Sequence, residues 1–223
     1  MLLVLPEVLS ADELRRVREG AQQARYDAGS LTAGEGSRSR KNNLQISEND
    51  PGLPELRRIV SDALLRNPLF QFLVMPKQVM PLLFNCYKEG MYYHDHVDFA
   101  LTGGAQKLRT DLSMTLFLSA VADYDGGELV FELDDGPRSV KLEQGQAIVY
   151  PSGTVHRVNP VTRGARYAVV TTIQSFIRDD AKRQVLADLM RLARFVQDNA
   201  PQSEEARLAN KLHANLLRMW ADL

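Results

Sequence analysis

Tyr93-His94-Asp95-His96-Val97-Asp98 sets a histidine and a carboxylate two positions apart in a segment that reads as a β-strand. Side chains on a strand repeat with period two, so His96 and Asp98 fall on one face, where an imidazole and a carboxylate can chelate the same metal ion. A third ligand must come from a distant strand. His156 fits that role, following the turn Tyr150-Pro-Ser-Gly153 at the start of another strand. His213, mid-helix near the C-terminus, reads as a plain surface or interface residue.

The residues around these motifs keep the same short-period pattern. From residue 69 to about 178, apolar or alternating runs are separated by turn chemistry and show no sustained helical period. Strands are expected at 80–87, 92–98, 112–119, 127–132, 138–142, 146–150, 154–158 and 165–177. Turns are marked by Asp125-Gly-Gly127, Asp134-Asp-Gly136, Gln144-Gly145, Pro151-Ser-Gly153 and Asn159-Pro160. Short strands at this spacing predict a sandwich, jelly roll or barrel.

Helical periodicity flanks the β part on both sides. Ser10-Ala-Asp-Glu13 reads as a capping box ahead of a helix over 11–24, in which Leu14, Val17 and Ala21 recur at helical spacing. A second helix fits 54–66, with Leu56, Ile59, Val60, Ala63 and Leu64 as its apolar stripe and Asn67-Pro68 as its stop. Between the two, 27–43 is rich in Gly and Ser, ends in Arg40-Lys-Asn-Asn43, and reads as a mobile polar loop, either a lid or an ordinary surface loop. After Arg178-Asp-Asp180 the helical period returns through Val185, Leu186, Leu189, Leu192, Phe195 and Val196. Pro201 interrupts it, and Ser203-Glu-Glu205 caps a second run through Leu208, Leu212, Leu216 and Leu217. Two units are expected: 1–178, holding the N-terminal helices and the β part, and 179–223, a C-terminal αα-hairpin. The apolar stripe of the hairpin suits packing against the sheet or against a second copy in a homodimer.

The 223 residues carry 27 Lys+Arg against 28 Asp+Glu, a formal net charge of -1, and 44% are hydrophobic. This is an ordinary globular composition, long enough to bury a full core. It lacks the basic field of a nucleic-acid or anionic-membrane binder, so neither partner is expected. Met1-Leu-Leu-Val-Leu-Pro6-Glu7 has no basic region before its apolar run and no small-residue cleavage site after it, so no signal peptide is expected. No apolar run is long enough to span a bilayer. The single cysteine, Cys86, cannot form an internal disulfide, and a reducing, cytoplasmic location is the expectation.

Two histidines and one carboxylate form the facial set of non-haem iron(II) oxygenases, which leaves coordination positions open for a co-substrate and oxygen. The same donors suit Zn(II), as in a hydrolase or isomerase on a cupin-like barrel. Arg166 bears on that choice. It follows His156 in a strand otherwise rich in Ala, Val and Thr, where a charge needs a partner, and its fork suits a carboxylate bidentately. His-x-Asp alone recurs by chance; the four residues together favour a metal site with a carboxylate anchor beside it.

Lys41-Asn-Asn-Leu44, Asn67-Pro-Leu-Phe70, Leu83-Phe-Asn-Cys-Tyr87, His96-Val-Asp98 and Arg109-Thr-Asp-Leu-Ser113 recur together with Tyr124-Asp-Gly-Gly-Glu-Leu129, Tyr150-Pro-Ser152, His156-Arg-Val158, Pro160-Val-Thr-Arg-Gly164 and Gln174-Ser175. In combination, over nearly the whole chain, they resemble the bacterial PKHD-type hydroxylases, a branch of the Fe(II)/2-oxoglutarate-dependent dioxygenases related to prolyl and lysyl hydroxylases. The resemblance implies a mainly β, α+β fold: a double-stranded β-helix (jelly roll) with N-terminal helices and the C-terminal hairpin. It implies that His96, Asp98 and His156 bind iron and serve catalysis, that Arg166 binds the distal carboxylate of 2-oxoglutarate, and that Tyr87 helps to hold this co-substrate. Hydroxylation of an amino-acid side chain in a protein or peptide, or of a small molecule, would release succinate and CO2, with ascorbate as a helper reductant. Some bacterial relatives are associated with iron uptake. A non-catalytic iron or 2-oxoglutarate sensor would use the same residues without turnover. Two positions depart from the family pattern. His94 stands where relatives more often carry Gly, and Thr172, on the face of Arg166 by parity, replaces an aromatic residue, usually Trp.

Overall fold

The computed structural model describes residues 2–32, 39–103 and 107–222. After a short strand β1 (Leu3–Leu5), the helix α1 (Ala11–Gln23) starts at the expected capping box: Glu13 N donates to Ser10 Oγ, and the Glu13 carboxylate accepts from Ser10 N at 2.9 Å. Val17 and Ala21 form its buried face. Strands β2 (Tyr26–Ala28), β3 (Lys41–Asn42) and β4 (Leu44–Ile46) precede α2 (Leu53–Arg66), whose apolar stripe is buried from Leu53 to Leu64.

The β part continues through β5 (Pro76–Val79), β6 (Leu83–Lys88), β7 (Tyr92–His96), β8 (Leu101–Thr102), β9 (Leu108–Arg109) and β10 (Leu112–Phe117). It ends with β11 (Tyr124–Gly126), β12 (Leu129–Leu133), β13 (Gly136–Val140), β14 (Ala147–Pro151), β15 (His156–Val158) and β16 (Val161–Ser175). Apart from the separate two-stranded pair β8-β9, the described strands form two antiparallel sheets. The larger runs β1-β14-β10-β16-β6-β4-β2, with β5 and β11 also paired to β16, and the smaller runs β13-β12-β15-β7-β3. With helices at both ends of the chain, this is the double-stranded β-helix, or jelly roll, expected from the sequence.

Alternation along the strands sorts side chains into two cores. Met114 and Leu116 of β10 and Val169 and Ile173 of β16 pack with Val17, Leu56 and Val60 of the first two helices. Phe117, Phe131, Ile148 and Tyr150 belong to a second cluster, drawn from both sheets. Burying one such side chain stabilises the fold by roughly 1.5–3 kcal/mol. The C-terminal helices α3 (Asp180–Asn199) and α4 (Glu204–Trp220) dock through a third cluster, where Met75, Ile177 and Leu186 meet Leu216, Leu217 and Trp220. Leu192, Phe195, Leu208 and Leu212 on the same hairpin are exposed. No helix among the described residues is long and apolar enough to cross a membrane.

Three sequence expectations need correction. The segment after residue 69, read as the start of the β part, opens with a π-helical turn, Phe70–Val74, because Asn67 Oδ1 accepts from Phe70 N at 3.0 Å and the turn buries Phe70, Leu73 and Val74. The run was too short for its helical period to show. The expected loop 27–43 is partly strand: Asp27 and Ala28 pair with β4, and Lys41 and Asn42 with β7. Its residues 33–38 lie outside the described residues. The strand expected at 80–87 begins only at Leu83, with Met80 N turned to Thr172 O.

Candidate active site

Strand register assembles the candidate site. β15 pairs with β7 so that His156 stands opposite His96, which makes cross-strand neighbours of two residues far apart in sequence. β7 ends at His96 instead of reaching 98, because Asp98 N donates to Ser152 O at 3.2 Å. The three side chains still converge. Asp98 Oδ1 lies 3.9 Å from His96 Nε2, and Oδ2 lies 3.9 Å from His156 Nε2. One ligand atom from each residue lies within 4.8 Å of the other two.

Backbone carbonyls set the tautomers. His96 Nδ1 is 2.8 Å from His94 O, and His156 Nδ1 is 2.9 Å from Thr154 O. A carbonyl only accepts, so both Nδ1 atoms carry the proton and both Nε2 atoms present lone pairs. Burial, and then the neighbouring His156, push His96 down to about 4, which keeps its ring neutral at neutral pH. The Tyr93 ring stacks on that of His96 at 3.6 Å between centroids. Two lone pairs and a carboxylate facing one another are the donor set of a divalent transition metal. The Tyr150 hydroxyl, 3.3 Å from His156 Nε2, donates to one of those lone pairs.

Arg166 lies opposite Tyr87 in the β16–β6 ladder and is 1% exposed. Its guanidinium sits 5.3 Å from the Tyr87 ring centroid and 5.2 Å from that of Phe117. Its Nε and Nη2 are buried and have no hydrogen-bond partner among the described residues. Buried donors are almost always paired, so two orphans on one cation mark the seat of an anion. A cavity of about 340 Å³ joins this cation to the His-Asp-His cluster. Burial raises the Tyr87 hydroxyl well above its ordinary value, so it stays protonated and can donate into the same space.

The five residues singled out in the sequence, His96, Asp98, His156, Arg166 and Tyr87, therefore line one cavity. Thr172 lines it too, as its parity with Arg166 implied, while the exposed His94 ring lies 4.3 Å from that of Tyr92 and only its carbonyl serves the site. Sequence reasoning gave no role to Ser113, Ser152 or Tyr150, and placed Lys41 only in the segment 27–43, read as a lid or a surface loop. Ser113 donates to Asp98 Oδ2 at 2.5 Å and lies 2.8 Å from the Ser152 hydroxyl. Lys41 lines the cavity with its ammonium 5.4 Å from the Tyr93 centroid, and burial lowers it to about 8. The alternation Leu112-Ser113-Met114-Thr115-Leu116, polar on one face and apolar on the other, was the available signal that Ser113 points to the site.

Residues 82–174, which contain all five of those residues, match the 2OG-Fe(II) oxygenase superfamily. A PKHD-type hydroxylase of Acaryochloris marina is 44% identical over 222 residues, covering 100% of each chain. This chain belongs to the PKHD-type hydroxylase family. It is thus an oxygenase enzyme of the 2OG-Fe(II) class. Among solved structures, a Pseudomonas putida prolyl-4-hydroxylase is 21% identical with a TM-score of 0.53, covering 78% of this chain and 92% of that one. A Trichoplax adhaerens prolyl hydroxylase, solved in complex with a hypoxia inducible factor peptide fragment, is 16% identical with a TM-score of 0.58, covering 83% of this chain and 86% of that one. Both share the fold. A PKHD-type hydroxylase implies Fe(II) and 2-oxoglutarate, and the residues present fit both: nitrogen and carboxylate donors for the metal, an orphaned guanidinium for the dicarboxylate.

Proposed function

We propose that His96, Asp98 and His156 hold Fe(II), that Arg166 with Tyr87 holds the distal carboxylate of 2-oxoglutarate, and that the enzyme hydroxylates a C–H bond of a protein or peptide side chain or of a small molecule. The orphaned Nε and Nη2 of Arg166, in the same cavity as the three ligands, carry this reading. Bound iron and 2-oxoglutarate supply the oxygen chemistry: one oxygen atom of O2 goes to the substrate carbon, the other to succinate, and CO2 leaves. The chain's own part is positional. The carbonyls of His94 and Thr154 aim the imidazoles, Tyr87 and Phe117 flank the guanidinium, and the walls between the sheets limit water.

Ascorbate fits as a helper that keeps the metal reduced, and the uptake of iron is the setting in which we place the activity, by analogy with the bacterial relatives. Thr172 leaves more room on the cavity wall than an aromatic side chain, which suits a bulkier substrate group than relatives with Trp would take. Anaerobic addition of Fe(II) and 2-oxoglutarate to metal-free protein tests the assignment. A weak visible charge-transfer band is expected in wild type and not in Asp98→Ala. Tight zinc binding with no such band would overturn it in favour of a cupin-like zinc protein, and a band with no succinate from any substrate would favour a sensor.

A further inference from the structure

Ser113 sits near the start of β10, 2% exposed, with its hydroxyl donating to Asp98 Oδ2. A carboxylate has no proton to return, so the single hydrogen of Ser113 is committed to Asp98. The 2.8 Å contact between the Ser113 and Ser152 hydroxyls then has one polarity: Ser152 donates and Ser113 accepts. Ser152 is as deeply buried, and its carbonyl takes the Asp98 N–H. It thus holds Asp98 twice, directly through the backbone and indirectly through Ser113. Ser152 is anchored in turn, its N–H donating to Asp111 O at 3.1 Å. The Asp111 carboxylate is clamped by Arg109 and by the Ser175 N–H at 2.9 Å.

Distance alone does not choose which Asp98 oxygen serves a metal, since each lies 3.9 Å from an imidazole nitrogen. The hydroxyl of Ser113 does. We infer that Ser113 and Ser152 form a directional hydroxyl relay that presents Asp98 as a one-oxygen ligand, with Oδ2 occupied by Ser113 and Oδ1 left for the ion. The inference rests on the ligand assignment proposed above. A carboxylate released from this bond can swing to chelate with both oxygens, which would take up a position the co-substrate or oxygen needs. Both serines act through Asp98 and are positioning residues, not ligands. Outer partners of this kind tune affinity and geometry without touching the metal.

The test titrates Co(II) into the metal-free full chain and follows its visible absorption, with the melting temperature of each metal-free variant recorded alongside. Ser113→Ala should weaken Co(II) binding about 10–100-fold and change the shape of the cobalt band. Ser152→Ala should weaken it about fivefold, the scale of one ordinary hydrogen bond. Because Ser152 acts through Ser113, the double variant should bind no worse than Ser113→Ala alone. Ser113→Thr, which keeps the hydroxyl, should recover most of the affinity. Full additivity of the two serine variants overturns the relay. So does wild-type affinity and an unchanged band in Ser113→Ala, or a loss confined to melting temperature, which would mark a merely structural role. If Ser113→Ala does not fold, unchanged binding in Ser152→Ala overturns it by itself. Wild-type cobalt binding in Asp98→Ala would instead remove the ligand assignment, and the relay with it.

Discussion

A Cβ on Gly127 would fall 3.2 Å from Cδ of Arg166, and 2.9 Å from Cγ2 of Val161. The bare backbone at 127, with φ of +65°, is thus part of the wall that keeps the guanidinium where it is. Gly127→Ala should strain the left-handed backbone by about 1–2 kcal/mol and press on the arginine stem. The expected outcome is a lower melting temperature together with weaker 2-oxoglutarate binding. An affinity equal to wild type would show that Arg166 tolerates the shift.

Arg166→Met keeps the apolar contacts with Tyr87 and Phe117 and removes the anion's partner. Affinity for 2-oxoglutarate should fall about 100-fold, the scale of a buried charge-assisted pair, while Co(II) affinity stays unchanged. Arg166→Lys should recover little, since a point charge cannot reproduce the fork. Calorimetric titration of each ligand separates the two effects; co-substrate affinity retained in Arg166→Met would remove the anchor.

Lys41 gives the metal-free protein a pH signature. Its folded value of about 8 lies below the ordinary 10.5, so between these limits the unfolded chain binds more protons than the folded one. Stability should therefore rise as the pH climbs through that window, after the full penalty of burying the cation below it. Urea midpoints from pH 7 to pH 10.5 should rise more steeply in wild type than in Lys41→Met. Parallel curves would mean that the ammonium is better solvated than its burial implies.

The hairpin of α3 and α4 shares a cluster with the β part through Met75 and Ile177. Leu186→Ala, at a side chain 1% exposed, should cost about 2–5 kcal/mol. Trp220 is the chain's one tryptophan, so its fluorescence reports the hairpin while circular dichroism reports the whole. The two urea transitions should coincide and shift together in the variant. Separate transitions would establish residues 179–223 as a unit of their own.

The sequence displayed the candidate site because metal chemistry narrows the choice: two of only four histidines, one carboxylate at strand spacing, and an arginine in an apolar strand. The long central strands were legible for a similar reason. Their alternation extends over enough residues to exclude a helix, as in 112–119 against the observed Leu112–Phe117. Strands of two or three residues, such as β3 and β8, carry too little period to be read, and they exist because a neighbouring strand offers its edge. What Ser113 and Ser152 bond to was hidden for another reason. A serine is ordinary in any context, and its partner Asp98 is supplied only by the fold.

The direct opposition of His156 and His96 ties the proposed metal site to the pairing of β7 with β15. Side chains alternate, so a slip of one residue between β7 and β15 would turn one imidazole out of the cavity while leaving the backbone ladder almost intact. Such a misaligned chain would look folded to any measure of secondary structure, yet it would lack one of the three proposed ligands. With the ion held as proposed, metal uptake would therefore report the register of β7 against β15, to which secondary-structure content is blind.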